Sequence, residues 1–209
     1  MFEIILVSSK KHCPTNFLTQ IESLAEEGLS AIMLREKDLA PSTYWGLAEK
    51  IIKICRLRSI RFIAHNFFDL ALEHQVDALH LPSSFIQKIS PSRARFSKPF
   101  KITGIPLGFS VHSEEEAEKA ILTGADYLTF GHIYETNCKK GQPGRGPKLL
   151  SRIISKVPVP VYAIGGINKS NINDIKNRGA AGAFIMSSLM TTNDPAFYLS
   201  TLWSSLYRS

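Results

Sequence analysis

Short apolar runs recur along the chain, and between them apolar residues return every three or four positions. The runs cover 3–8, 31–36, 61–66, 78–82, 106–112, 127–132, 161–166 and 182–187. They are short and rich in β-branched residues, as buried strands are. The intervening segments carry a helical stripe, for example Phe17, Ile21, Leu24 and Ala25, or Tyr44, Leu47, Ala48, Ile51 and Ile52. Each is long enough to cross back over a sheet, so the pattern reads as a strand–helix unit repeated eight times.

Local punctuation agrees with that reading. Glycine follows the helical stripes at Gly28, Gly124 and Gly179, where a left-handed residue closes a helix. Ser113 precedes Glu114, Glu115 and Glu116, which puts a hydroxyl at the N-cap and a carboxylate at the capping-box position. Eight such units in 209 residues predict a single-domain (β/α)8 TIM barrel over 1–209, with its chemistry at the C-terminal strand ends. A doubly wound open sheet is the alternative arrangement. The stretch 90–103 has little periodicity and is expected to be an irregular connection.

Composition narrows the function classes. Hydrophobic residues make up 44% and charged residues 21% of the chain, enough apolar material for a core and too little charge for disorder. The net charge of +7 suits nucleic acid, an anionic surface or a small anion, but the cations are dispersed, which argues against a nucleic-acid partner. Cys13, Cys55 and Cys138 are odd in number and unpaired in spacing, so a reducing compartment fits better than a disulfide framework or a zinc knuckle. No apolar run has membrane-spanning length, and the apolar start at 2–7 contains Glu3 and has no cleavage site. The expectation is a soluble, cytoplasmic protein with no membrane partner; whether it forms a homo-oligomer is left open.

Barrel logic directs attention to the strand ends. The second run finishes Arg35-Glu36-Lys37-Asp38, and period-two alternation puts Arg35 and Lys37 on one face with Glu36 opposite. The pair suits phosphate or carboxylate; the competing reading is a set of surface ion pairs with Glu36 or Asp38. The seventh and eighth runs end Gly165-Gly166 and Met186-Ser187, where freed backbone N–H groups at adjacent strand ends would cradle a phosphate. His132 opens a glycine-rich cationic loop, 133–146, that contains Thr136, Lys139, Lys140 and Arg145. An imidazole there can move protons near neutral pH, and the loop can exclude water; a hydrogen-bonded structural histidine is the competing reading. The other histidines lack ligand spacing, and His80, in an apolar strand, reads as a hydrogen-bonded core residue, so no protein-bound metal is expected.

Seven motifs, in order along the chain, resemble the thiamine phosphate synthase superfamily. They are Leu34-Arg35-Glu36-Lys37, Asp69-Leu70-Ala71, Asp77-Ala78-Leu79-His80-Leu81, Gly108-Phe109-Ser110-Val111-His112, Gly124-Ala125-Asp126-Tyr127, Ala163-Ile164-Gly165-Gly166-Ile167 and Met186-Ser187. Within it, Phe130-Gly131-His132-Ile133-Tyr134-Glu135-Thr136-Asn137-Cys138-Lys139-Lys140-Gly141, continuing to Gly144-Arg145-Gly146, is similar to the TenI branch, the thiazole tautomerases. The resemblance implies a cofactor-independent isomerisation of the exocyclic tautomer of carboxythiazole ethyl phosphate to the aromatic thiazole carboxylate phosphate. It makes His132 the proton shuttle and favours Ser110 over His112 as a ligand contact.

Departures from the synthase pattern weigh the same way. Where the synthases carry carboxylates for Mg²⁺, this chain reads His65-Asn66 and Pro82-Ser83-Ser84-Phe85, a poor set for a cation that wants hard anionic oxygens. The expected site is therefore His132 as acid and base; Gly166, Met186 and Ser187 on the phosphate; Arg35 and Lys37 on the carboxylate; and Ser110, Thr136 and Lys139 as further contacts. The alternatives are a thiamine phosphate synthase and a non-catalytic regulator that binds a phosphate ligand.

Overall fold

A computed structural model describes residues 1–67, 76–88 and 104–207. Eight parallel strands close into a barrel in chain order: β1 Glu3–Val7, β2 Ala31–Leu34, β3 Arg61–His65, β4 Ala78–Leu81, β5 Leu107–Val111, β6 Tyr127–Gly131, β7 Val161–Ile164 and β8 Gly182–Ile185. Closure is made by β8 against β1, with Glu3 opposite Gly182 and Leu6 opposite Ile185. The expected barrel is thus observed, and each expected run contains a strand. The irregular connection expected at 90–103, the Asp69-Leu70-Ala71 motif and His74 lie outside the described residues.

Alternation along each strand builds two cores. Ile4, Leu6, Ile32, Leu34, Phe62 and Leu128 face outward and are sealed by helices, whereas Ile5, Val7, Met33, Ile63, Tyr127, Tyr162 and Phe184 fill the barrel. The helices are α1 Phe17–Glu26, α2 Pro41–Leu57, α3 Ser83–Lys88, α4 Glu114–Thr123, α5 Pro147–Lys156, α6 Ile172–Asn177, α7 Ser187–Met190 and α8 Pro195–Tyr207. The stripes read from the sequence are the buried faces: Phe17, Ile21, Leu24 and Ala25 in α1, and Tyr44, Ala48 and Ile51 in α2. Leu47 and Ile52 are only partly buried at the margin of that face.

The strands stop earlier than the apolar runs, and at three of the ends the reason is visible. After Leu34, the Arg35 N–H donates to the Ser8 hydroxyl at 2.9 Å, so a side chain takes the place of a ladder partner. After Ile164 the chain turns through Gly165 at φ +96° and Gly166 at φ +69°, a left-handed conformation open to glycine. Ser187, expected to end a strand, instead begins α7. The α4 cap also differs in detail: Ser113 accepts from the Glu116 N–H at 3.1 Å, but the Glu116 carboxylate reaches back one residue further, to the His112 N–H at 2.7 Å. Gly124 closes that helix at φ +100°.

Candidate active site

The inward positions at the C-terminal strand ends bring together residues from five consecutive strands. Arg35 follows β2, His65 ends β3, His80 lies on β4, Ser110 on β5 and Thr129 on β6. Tyr44 of α2 braces this rim, its hydroxyl donating to the Leu34 carbonyl at 2.8 Å and accepting from the His65 N–H at 3.3 Å. Glu36 turns to the other side and accepts from the Ser8 hydroxyl at 2.6 Å and the Lys10 N–H at 3.0 Å. Arg35 and Lys37 therefore share a side, as alternation suggests, although both stand on the loop after β2 rather than in a strand.

The rim after β2 carries two neighbouring cations. Burial pulls the Arg35 guanidinium below its usual value, against the pull of Glu36, Cys138 and Asp38. The Arg35 charge, burial and the Lys139 charge together lower Lys37. Among the described residues the ion pairs form elsewhere, at Arg56–Asp77, Arg61–Glu3 and Arg178–Asp174 for example, so the surface ion-pair reading of Arg35 and Lys37 finds no partner. Crowded cations that make no direct ion pair are stabilised by an arriving anion.

Beneath them lie two buried histidines with ring centroids 6.1 Å apart. Burial, then the charges of Arg35 and Lys37, push the His65 imidazole down to about 3. His80 is pushed down by burial, then by His65 and Arg35. Its Nδ1 lies 3.3 Å from the Tyr127 hydroxyl, and its Nε2 lies 2.9 Å from Ser110 Oγ and 3.3 Å from Thr129 Oγ1. It is thus a neutral core histidine held by hydroxyls. Ser110, half-buried, keeps hydrogen-bonding capacity for a ligand above it.

His132 directly follows β6 and is 9% exposed. Its Nε2 lies 3.1 Å from the main-chain carbonyl of Gln142. The loop after His132 brings Lys139 near enough to the end of β2 for its charge to lower Lys37. Thr136 caps a short 3-10 turn, Asn137–Lys139, accepting from the Cys138 N–H at 3.4 Å, so its hydroxyl already has a structural task. The loop also encloses a cleft of about 500 Å³ lined by Glu135, Thr136, Lys139, Lys140 and Gln142 among others. That cleft holds the cations Lys139 and Lys140 beside the carboxylate of Glu135.

Gly165 and Gly166 serve packing. A Cβ on Gly165 would lie 2.3 Å from His132 Cβ, and one on Gly166 would lie 2.6 Å from the Glu135 carbonyl oxygen. Glycine here lets the seventh strand end press against the His132 turn. Because β7 and β8 are neighbours, with Ile164 opposite Phe184, Gly166 and the Met186-Ser187 end emerge side by side. Sequence reasoning missed Thr129, which the inward period of β6 would have flagged, and it placed Glu36 on the opposite face without its partners Ser8 and Lys10, a contact that has no local signal.

The donor set suits an anion better than a divalent cation. Among the described residues no three His, Cys, Asp or Glu side chains are grouped to hold a metal ion. The rim at β3 and β4 offers imidazole, amide and hydroxyl from His65, Asn66 and Ser83. Mg²⁺ prefers carboxylate oxygens, so these residues do not fit it.

Residues 4–189 match the family described as thiamine monophosphate synthase. The chain belongs to that family. A thiamine-phosphate synthase of Fusobacterium nucleatum is 32% identical over 193 residues, covering 92% of this chain and 91% of the relative. One from Methanospirillum hungatei is 35% identical over 178 residues, covering 83% and 84%. A solved structure described as thiamine phosphate pyrophosphorylase from Pyrococcus furiosus superposes with a TM-score of 0.81, covering 98% of this chain and 95% of that one at 24% identity; that likeness concerns the fold. The family is one of thiamine biosynthesis. The relatives' names are those of synthases, which favours the synthase alternative over the tautomerase expected from the sequence. No helix among the described residues is long and apolar enough to cross a membrane.

Proposed function

We propose that this member of the family is a thiazole tautomerase, converting the exocyclic tautomer of carboxythiazole ethyl phosphate to the aromatic carboxylate. The observation that carries the reading is the pairing of His132 at the mouth with a rim that is cationic after β2 and that, among the described residues, offers His65, Asn66 and Ser83 rather than carboxylates at the ends of β3 and β4. The reaction removes a proton from the ring carbon bearing the carboxylate and returns one to the exocyclic carbon. A single imidazole suffices, and general acid–base help of this kind contributes about 10²–10⁴-fold. Arg35 and Lys37 meet the carboxylate and the negative charge that develops, the ends of β7 and β8 hold the phosphate, and Ser110, Thr136 and Lys139 complete the enclosure.

The second reading is a thiamine-phosphate synthase, favoured by the names of the relatives. One experiment separates the two. Metal-stripped protein is mixed with freshly made exocyclic substrate and followed by ultraviolet absorbance, while a parallel sample receives the aromatic thiazole phosphate, hydroxymethylpyrimidine pyrophosphate and Mg²⁺. Aromatisation in the first supports the tautomerase; product in the second alone establishes the synthase; ligand binding without turnover in either points to a phosphate-responsive regulator.

A further inference from the structure

The arm that returns from the loop is built around His132. The Arg145 N–H donates to the His132 carbonyl at 2.9 Å and the Gly146 N–H to the Ile133 carbonyl at 3.0 Å. A Cβ on Gly144 would lie 2.5 Å from the Ile133 carbonyl oxygen, so the two segments touch main chain to main chain. The carbonyl of Gly131, immediately before His132, is held from two sides: Arg145 Nε donates to it at 3.0 Å, and His112 Nδ1 lies 2.7 Å away. A carbonyl only accepts, so His112 carries its proton on Nδ1. The same rule applied to the 3.1 Å contact between His132 Nε2 and the Gln142 carbonyl puts the proton of neutral His132 on Nε2. Its Nδ1 then carries the free lone pair.

We propose that Arg145 is a positioning residue for His132, and that the arm 142–146 sets the His132 tautomer so that Nδ1 is the atom exchanging protons with substrate. The chemical part rests on the tautomerase reading. In the first step the Nδ1 lone pair takes the proton from the ring carbon, giving an imidazolium whose Nε2–H still donates to Gln142 and leaving the electron pair in the conjugated substrate. In the second, Nδ1–H returns its proton to the exocyclic carbon, restoring the neutral ring. Nothing is oxidised or consumed. Because Arg145 acts on the main chain beside the base, its loss disturbs orientation rather than affinity.

The test combines kinetics with ¹⁵N-edited NMR of the histidine rings in wild type, Arg145→Ala and Arg145→Lys. The expected wild-type spectrum shows neutral His132 as the Nε2–H form. Arg145→Ala should give a mixture of tautomers and a kcat lower by about 10- to 100-fold with KM nearly unchanged, and Arg145→Lys should recover part of both. A wild-type Nδ1–H form overturns the proposal, as does an Arg145→Ala variant with unchanged tautomer and kcat or one altered only in KM. If the wild-type tautomer is Nε2–H and depends on Arg145 but the exocyclic substrate is not turned over, the positioning claim is supported and the tautomerase reading fails.

Discussion

The two ends of the barrel interior both hold an arginine, yet one is neutralised by a carboxylate and the other is not. At the N-terminal end the cation Arg61 is paired with Glu3, and Tyr162 donates to the same carboxylate at 2.6 Å. Above them Tyr127, Tyr162 and Phe184 pack edge to face and in parallel as a plug. At the C-terminal end the charges of Arg35 and Lys139 bear on Lys37 and lower it, and Glu36, the nearest carboxylate in sequence, is engaged by Ser8 and Lys10. The floor is neutralised from within; the mouth keeps its positive charge. Folding alone would favour pairing at both ends, so the asymmetry marks the mouth as the working end.

That contrast is open to attack at each end. Arg35→Ala should weaken binding of the carboxylated thiazole phosphate by about 10- to 100-fold, the range of a lost charged hydrogen bond, and should affect the decarboxylated analogue less; equal losses in calorimetric titrations would mean that Arg35 does not read the carboxylate. Stability should be unchanged or raised, because a partly buried cation is removed. Tyr162→Phe is its counterpart at the floor: urea unfolding should show a loss of about 1–3 kcal/mol while turnover stays at the wild-type level, and a loss of turnover at full stability would blur the division.

Acid provides the smallest and most graded test. His65 stays neutral when folded, down to about pH 3, but takes up a proton near pH 6.5 when unfolded. The unfolded chain therefore binds more protons between those values, and the stability present above pH 6.5 is lost as the pH falls through that window. The loss is about 1.4 kcal/mol per pH unit at most from His65, and His80 adds in the same direction. His65→Asn should flatten the dependence of unfolding free energy on pH, measured between pH 7 and pH 5; an unchanged slope would show that His65 is not held neutral by its surroundings.

Much of this was legible in the chain because strand periodicity and glycine caps are local signals. Ile5 and Val7, or His80 beneath a hydroxyl-rich layer, could be placed inward from alternation alone. The ends of the runs were not legible: Arg35 leaves the ladder because Ser8, far away in sequence, offers its hydroxyl. Likewise the Gly165-Gly166 pair read as a phosphate turn, while its tight contact with His132 and Glu135 depends on where the loop after β6 returns. The tautomer of His132 is set by the main chain of Gln142, about which side-chain identity says nothing.

The central claim is that His132, at a mouth whose described residues form no Mg²⁺-binding group of carboxylates, moves the proton. The direct measurement is the rate of aromatisation of exocyclic substrate by metal-stripped wild type and by His132→Ala, each with its fold confirmed by circular dichroism. The account predicts metal-independent turnover by wild type and a loss of about 10²–10⁴-fold in the variant. Equal turnover by the two proteins, or none by wild type without metal, would contradict it.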